Sequence, residues 1–339
     1  MIELTSVSLG ADPEAFLMKN GMVIGSEKVI PPSLGGVDAV VRDGVQIELH
    51  PYARNYPSGV VGGIGTIFHN LKLLLDKTPE ITVCFKPVVE VSEEELESLS
   101  DESRILGCKP SQNIYGFKSP DVDGKIFKIR SAAGHVHLGL EGSGIYDPDL
   151  GIDFRTRLVP AFDIVLGNIC VMMDTDPAQR VRRKLYGRPG EYRLPNYGLE
   201  YRTLSNFWLR SPALAEFVLG MANVIVGILH TTLKTSGENL EGELLAPMDW
   251  RRIVKAIYLN DAKVARENWK WVRGFLMNHA PDGSPIHTGN MEKFDRFLIM
   301  VENYGLGVFF PDDQEKVMNE WTGGFKAGEW TRFIDSIQI

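Results

Sequence analysis

Residues 133–140 read A-G-H-V-H-L-G-L, and residues 198–204 read G-L-E-Y-R-T-L. In each, polar residues stand two apart, with apolar residues on the in-between positions. His135 and His137 flank Val136 and precede Leu138; Glu200 and Arg202 flank Tyr201 and follow Leu199. Side chains on a strand alternate faces with period two. The spacing therefore predicts strands with one apolar face turned to a core. The other face is unusual. An ordinary half-buried strand puts Thr, Ser or Lys on its wet side, whereas acids, imidazoles and guanidiniums are the groups that bind hard metal ions and phosphates.

Two stretches nearer the N-terminus repeat the pattern. Residues 46–51, Q-I-E-L-H-P, place Glu48 and His50 opposite Ile47 and Leu49, and residues 9–16, L-G-A-D-P-E-A-F, place Asp12 beside Glu14. Pro13 implies a strand end or bulge there. Each pair has a plainer alternative. An H-x-H fits two packed histidines, Glu48 fits an open sheet face, and His50 can sit beneath Pro51. Asp12 and Glu14 fit a solvated turn, Glu200 and Arg202 an internal ion pair, and Asp38 a turn or strand end. Gathered on one sheet face, the four pairs suit the floor of a metal–nucleotide site. Carboxylates hold Mg²⁺, and arginines neutralise the charge that develops in phosphoryl transfer.

Between the last two strands lies a basic run. Residues 180–193, R-V-R-R-K-L-Y-G-R-P-G-E-Y-R, carry Arg180, Arg182, Arg183, Lys184, Arg188 and Arg193 in a chain of net charge −8. Its glycines and proline predict irregular backbone able to approach an anion, and guanidinium forks bind phosphate bidentately. A basic surface loop is the alternative; two or three of the arginines are expected on phosphate.

Composition bounds the rest. The chain has 339 residues, 44% hydrophobic and 24% charged, as in an ordinary globular protein. Its acidity argues against general nucleic-acid binding. Cys84, Cys108 and Cys170 make no disulfide framework and read as core residues of a reducing compartment. The N-terminus lacks a signal-peptide pattern, and no apolar stretch approaches the ~20 residues of a membrane span, the run from Leu158 to Met173 being broken by Asp163 and Asn168. These features predict a cytoplasmic protein with no membrane partner. No G-x-x-x-x-G-K-[ST] or G-x-G-x-x-G motif is present, nor an evident Ser/Cys–His device.

Local signals predict an α+β protein. Asn20-Gly21 and Asp43-Gly44 are hairpin turns. Ser58 to about Lys77 reads as a helix capped by Ser58, Ile81 to Val91 as a strand, residues 92–103 as a solvated acidic helix or loop, and 105–130 as a long loop. Arg155 to Met173 reads as a buried helix. Ser211-Pro212 opens another that runs to about Leu233. After the loop 235–247, helices are expected over Asp249–Met277, Met291–Tyr304 and Asp312–Glu320. The chain reads as one catalytic domain, with a sheet-based site in residues 1–210 and a mainly helical part in 211–339.

The run 182–209, R-R-K-L-Y-G-R-P-G-E-Y-R-L-P-N-Y-G-L-E-Y-R-T-L-S-N-F-W-L, with G-A-D-P-E near the start and A-G-H-V-H-L-G-L between, resembles the phage amidoligases, the carboxylate–amine ligases of type 2. They are grouped with glutamine synthetase and glutamate–cysteine ligase. The resemblance implies a curved, mainly antiparallel sheet with helices on its outer face. It implies ATP and two or three Mg²⁺ or Mn²⁺ ions on the open face. Glu14, Glu48, His135 and Glu200 would hold metal, and His137 would lie nearer the phosphates. Arg183, Arg188, Arg193 and Arg202 would hold the γ-phosphate and the substrate carboxylate, with Arg188, Arg193 and Arg202 in the catalytic role. Glutamine synthetases carry two acids where this chain has Glu48 and His50. The acid that shields the acyl phosphate would come from 105–130 or from Glu238, Glu241 or Glu243.

The implied activity is ATP-dependent ligation of a small-molecule or peptide carboxylate to an amine through an acyl phosphate, in the cytoplasm of an infected bacterium. The rivals are an amide hydrolase on the same metal scaffold and a non-catalytic nucleotide-binding phage protein. Oligomeric state is not legible.

Overall fold

The apolar halves of the alternating strands all meet a core. Ile47, Leu49, Val136, Leu138, Leu199 and Tyr201 are buried, as the period-two spacing requires. The computed structural model describes residues 3–32, 37–104, 111–118, 128–147, 152–236 and 249–338. All pairings among the described strands are antiparallel, and helices cover one side of the sheets.

The first sheet runs β1 (Glu3–Ala11), β10 (Val136–Ser143), β14 (Gly198–Tyr201), β13 (Glu191–Arg193) and β8 (Gln112–Asn113). Its register sets Gly10 opposite His137, His137 opposite Glu200, and Glu200 opposite Arg193. Three polar side chains therefore form one row across adjacent strands. The next row on that face is Ser8, Gly139 and Gly198.

The second sheet is β3 (Met22–Ile24), β2 (Glu14–Lys19), β5 (Gln46–His50) and β4 (Ala39–Asp43), with β6 (Ile81–Cys84) also on β2. Glu14 lies opposite Glu48, and Gln46 opposite Asp43. The Asn20-Gly21 turn joins β2 to β3 with φ positive at both residues, 51° and 81°, the left-handed pair a two-residue hairpin needs. Two ribbons complete the strands: β7 (Val88–Glu90) with β9 (Ile129–Ser131), and β11 (Tyr146–Asp147) with β12 (Ile152–Asp153). The strand expected over 81–91 is broken at Lys86-Pro87, where proline removes a ladder donor.

Only Asp12 and Pro13 separate β1 from β2, so the chain passes from one sheet into the other at that point. Glu14 stitches the junction. Its backbone N–H donates to Ala133 O at 2.8 Å, and its Oε2 accepts from the Ala133 N–H at 2.7 Å.

Behind the sheets lie α1 (Pro57–Leu75), α4 (Phe154–Phe162), a π-helical turn Asp163–Gly167, α5 (Asn168–Met173) and α7 (Pro212–Ser236). Helix α1 starts at Pro57, with Ser58 inside its first turn and no side-chain cap; proline needs no partner there. Ile64, Ile67, Phe68 and Leu71 face the core, and Phe68 stacks on Trp321 at 5.0 Å. The acidic stretch forms α2 (Glu93–Ser98), with a Ser92–Glu95 capping box, and α3 (Asp101–Arg104).

The final third is helical, as expected, with two differences. The helix expected over 249–277 is two, Trp250–Tyr258 and Ala262–His279, because Asn260 turns left-handed (φ 47°) and Asp261 caps the second. A last helix, Glu329–Ser336, was not foreseen; its Trp330 packs against Phe217, Phe294, Phe297 and Phe333.

Three helices, Pro57–Leu75, Phe154–Met173 and Pro212–Thr231, are long and apolar enough by composition to cross a membrane, against the sequence expectation. Burial explains the second and third, each 83% inside the molecule, since a helix covered on all sides needs the same composition. The first is half covered. Cys170 is buried and Cys84 half-buried; Cys108 lies outside the described residues.

Candidate metal and anion site

Asp12, His135, His137 and Glu200 each bring one ligand atom to a common point, all within 4.8 Å of one another. The fold delivers them from three places. Asp12 comes from the junction between the sheets, the histidines from the start of β10, and Glu200 from β14. Asp12 Oδ1 lies 2.9 Å from His135 Nδ1 and 3.1 Å from His137 Nε2, and Glu200 Oε1 lies 3.5 Å from His135 Nδ1. The outer ring nitrogens meet tyrosines: Tyr186 Oη at 2.9 Å from His135 Nε2, and Tyr197 Oη at 2.9 Å from His137 Nδ1.

The charges strain against each other. Burial, then repulsion from Asp12, pushes the Glu200 carboxyl up to about 7, although His137 and Arg193 pull it down. Burial pushes His135 down to about 4 despite Asp12, so it is neutral at pH 7. Burial opposes charge on Asp12 and His137 too. The attraction between them outweighs it, lowering Asp12 well below its ordinary value and raising His137. A neutral imidazole, a second imidazole whose charge Asp12 favours, a carboxylate and an acid held up chiefly by burial form a donor set that a cation would relax.

Beside this cluster stands a second group of acids. Glu14, Asp43 and Glu48 are all raised, by burial first and then by one another or by Asp12. Glu48 Oε2 pairs with His50 Nε2 at 2.9 Å, and Glu14 Oε2 also accepts from Gln46 Nε2 at 2.7 Å. Of the residues expected to hold metal, the structure brings His135 and Glu200 together with Asp12 and His137, and it sets Glu14 and Glu48 on the neighbouring sheet. Asp12 and Glu14 were expected to point to one side of one strand. The strand ends between them, which separates the pair. His137, expected nearer the phosphates, lies in the cluster itself.

A cleft of about 380 Å³ opens over these groups, lined by Ser8, Gly10, Asp12, Glu48, His137 and Tyr197 among others. Ser8 and Gly139, opposite each other on β1 and β10, are part of its lining. A Cβ on Gly139 would come within 2.1 Å of Ser8 Oγ.

The arginines divide in two. Arg202 donates to Glu200 Oε1 at 2.6 Å, which realises the ion-pair alternative, and its guanidinium lies 5.0 Å from the Tyr186 ring centre. Arg193 is 3.7 Å from the same oxygen and 32% exposed. Arg182, Arg183 and Arg188 are buried and turned to backbone carbonyls. Arg182 donates to Thr203 O (3.0 Å) and Leu204 O (2.6 Å), and Arg183 to Gly187 O and Thr203 O. Arg188 donates to Lys118 O (2.5 Å) and Lys184 O (2.7 Å). The segment expected to stay off a regular helix instead forms α6 (Gln179–Leu185). These guanidiniums staple it to the chain after β14, and burial lowers Arg182 to about 9. Gly187 (φ 67°) permits this, since a Cβ there would lie 2.1 Å from Arg182 Nη1. Arg183 and Arg188, expected on phosphate, thus have their donors on backbone.

Sequence reasoning left Asp12 without a role and missed Tyr186, Tyr197 and Asp43. Asp12 was visible as an acid two from Glu14, whereas the tyrosines had no signal beyond lying between the arginines. Glu238, Glu241 and Glu243, and most of the 105–130 loop, lie outside the described residues.

Comparison with known proteins follows the same segment. A family model described as phage phiEco32-like COOH.NH2 ligase-type 2 matches residues 127–279. The match contains His135, His137, Tyr186, Tyr197, Glu200 and Arg202; Asp12, Glu14 and Glu48 precede it. No curated protein matches the chain. Among solved structures, a bifunctional glutathione synthetase from Pasteurella multocida aligns with a TM-score of 0.38 at 12% identity, over 96% of this chain and 56% of that one. The chain thus spans little more than half the length of that enzyme, and a score below 0.5 does not establish a shared fold.

Proposed function

We propose that this protein is an ATP-dependent carboxylate–amine ligase, one catalytic domain built on a glutamine-synthetase-like curled sheet. The observation that carries the reading is the coincidence of the ligase family match with three of the four residues of the convergent cluster, His135, His137 and Glu200. Two imidazoles and two carboxylates form a mixed N,O set, which suits Mn²⁺ better than all-oxygen Mg²⁺. The neighbouring Glu14, Asp43 and Glu48 offer oxygen alone, but among the described residues they do not converge on one point as that set does. Bound cations would supply charge neutralisation for the triphosphate.

The chain's own residues carry the rest. A carboxylate oxygen attacks the γ-phosphorus of ATP, the bond to the β-phosphate oxygen breaks, and ADP leaves. Arg193 and Arg202, both beside Glu200, would neutralise the charge that develops on the transferring phosphoryl. An amine then attacks the acyl carbon of the acyl phosphate, and phosphate departs with the C–O electron pair. Glu48, paired with His50 on the cleft wall, would take the ammonium proton. No enzyme nucleophile is needed. A nucleotide-dependent ligase of this kind would work in the cytoplasm.

The test is isotopic. Pooled amino acids labelled with ¹⁸O in the carboxylate are incubated with pooled amines and Mg²⁺–ATP, and the released phosphate is weighed by mass spectrometry. One ¹⁸O in the phosphate is expected, because the acyl oxygen leaves with phosphorus. Unlabelled phosphate from a protein that still consumes ATP would contradict the acyl-phosphate route.

A further inference from the structure

The two histidines of the cluster each lie between Asp12 and a tyrosine, but only His135 is hydrogen-bonded on both sides; His137 Nε2 faces Asp12 without a hydrogen bond. The inner nitrogens, His135 Nδ1 and His137 Nε2, converge on a single atom, Asp12 Oδ1. Each outer nitrogen meets a tyrosine hydroxyl at 2.9 Å. Tyr186 follows α6 directly and Tyr197 precedes β14 directly, so both hydroxyls are placed by the segment that also carries Glu200.

Without a cation, the neutral His135 gives its inner N–H to the Asp12 carboxylate, and its outer nitrogen accepts from the Tyr186 hydroxyl. A metal ion needs the inner lone pair. The proton must then sit on the outer nitrogen, which donates to the phenol oxygen. A phenol serves both states, because it donates and accepts. A carboxylate in that position only accepts, and would favour the loaded tautomer alone.

We propose that Tyr186 and Tyr197 are positioning residues, Tyr186 letting His135 exchange tautomers and Tyr197 holding the His137 ring, so that the cluster takes up and releases its metal ion rather than holding it permanently. This rests on the metal reading of the cluster given above. The two tyrosines are not equivalent. His135 is 2% exposed, so no water stands in for Tyr186, whereas the His137 side chain is 20% exposed at the cleft, where water replaces Tyr197. Arg202 over the Tyr186 ring fixes that ring further.

The experiment titrates Mn²⁺ into metal-free full-length protein, following the free-ion paramagnetic resonance signal, for wild type, Tyr186→Phe and Tyr197→Phe. Melting curves in chelator check folding. Long-range ¹H–¹⁵N spectra of the wild-type histidines, with and without Zn²⁺, read the tautomers. Tyr186→Phe is expected to weaken Mn²⁺ binding about 10–100-fold, Tyr197→Phe less, and the His135 proton to move from Nδ1 to Nε2 on loading. Unchanged Mn²⁺ affinity in folded Tyr186→Phe, or a metal-free His135 already protonated at Nε2, would overturn the tyrosine proposal and leave the metal site standing. If Tyr186→Phe does not fold, the wild-type spectra decide. A wild type that binds no Mn²⁺ would overturn both.

Discussion

Asp12 and His135 are 123 residues apart in the chain and 2.9 Å apart in the fold. The contact exists because β1 pairs with β10 in a register that ends at Ala11 and Val136, leaving the next residue outward on each strand, Asp12 and His135, side by side. Asp12 is thus the keystone of the cluster. Asp12→Asn keeps the shape and removes the charge. Its Mn²⁺ affinity should fall on the order of 100-fold or more, beyond what a supporting residue costs. Its melting temperature in chelator should fall, since His135 and His137 lose the carboxylate they face, a loss only partly offset by the repulsion relieved at Glu48 and Glu200. Titration and melting check both; undiminished binding would return Asp12 to a structural role.

Glu14 and Glu48 face each other but do different work. Glu14→Ala orphans the buried Ala133 N–H, at about 1–3 kcal/mol, and leaves the Gln46 amide donating to Ser131 O alone. Glu48→Ala frees a half-exposed pair with His50, and should shift stability by under about 1 kcal/mol while removing most ATP turnover. Urea unfolding beside a nucleotide assay separates the two.

The arginines split the same way. Arg183→Ala or Arg188→Ala removes a buried guanidinium from several carbonyls and should cost roughly 2–5 kcal/mol. Arg193→Ala should leave the unfolding midpoint nearly unchanged and lower turnover at least about tenfold. Equal stability losses at all three positions would contradict the division.

The period-two spacing made the buried faces legible: Val136, Leu138, Leu199, Ile47 and Leu49 are where alternation puts them. The two tight turns and the Ser211-Pro212 helix start were readable because their chemistry is local. The sheet junction was not. Whether Pro13 ends a strand or bulges it depends on Ala133, more than a hundred residues away, and spacing alone therefore makes Asp12 and Glu14 one pair. The basic run misled for a related reason. Guanidiniums that bind phosphate and guanidiniums that bind carbonyls look alike until Thr203 and Leu204 are seen beneath them.

Asp163, in the π-helical turn, makes a pH prediction away from the cluster. Burial pushes its carboxyl up to about 7 even though Tyr201 donates to it at 2.6 Å. Between its ordinary value of 3.8 and about 7, the unfolded chain has lost this proton and the folded one has kept it. Stability from this group therefore falls as pH rises through that window. Asp163→Asn keeps an oxygen for Tyr201 and removes the slope. Between pH 4.5 and 7.5 the unfolding free energy from urea curves should fall less in the variant than in wild type, by on the order of a few kcal/mol. Parallel drops would contradict it.

The central claim is that ATP is consumed to join a carboxylate to an amine. ADP release from Mg²⁺–ATP, measured with pooled carboxylates alone, pooled amines alone, and both together, tests it most directly. The account predicts steady ADP release only when both pools are present, and its loss in Glu200→Ala. Steady release that ignores the amine, or release unaltered in Glu200→Ala, would contradict it.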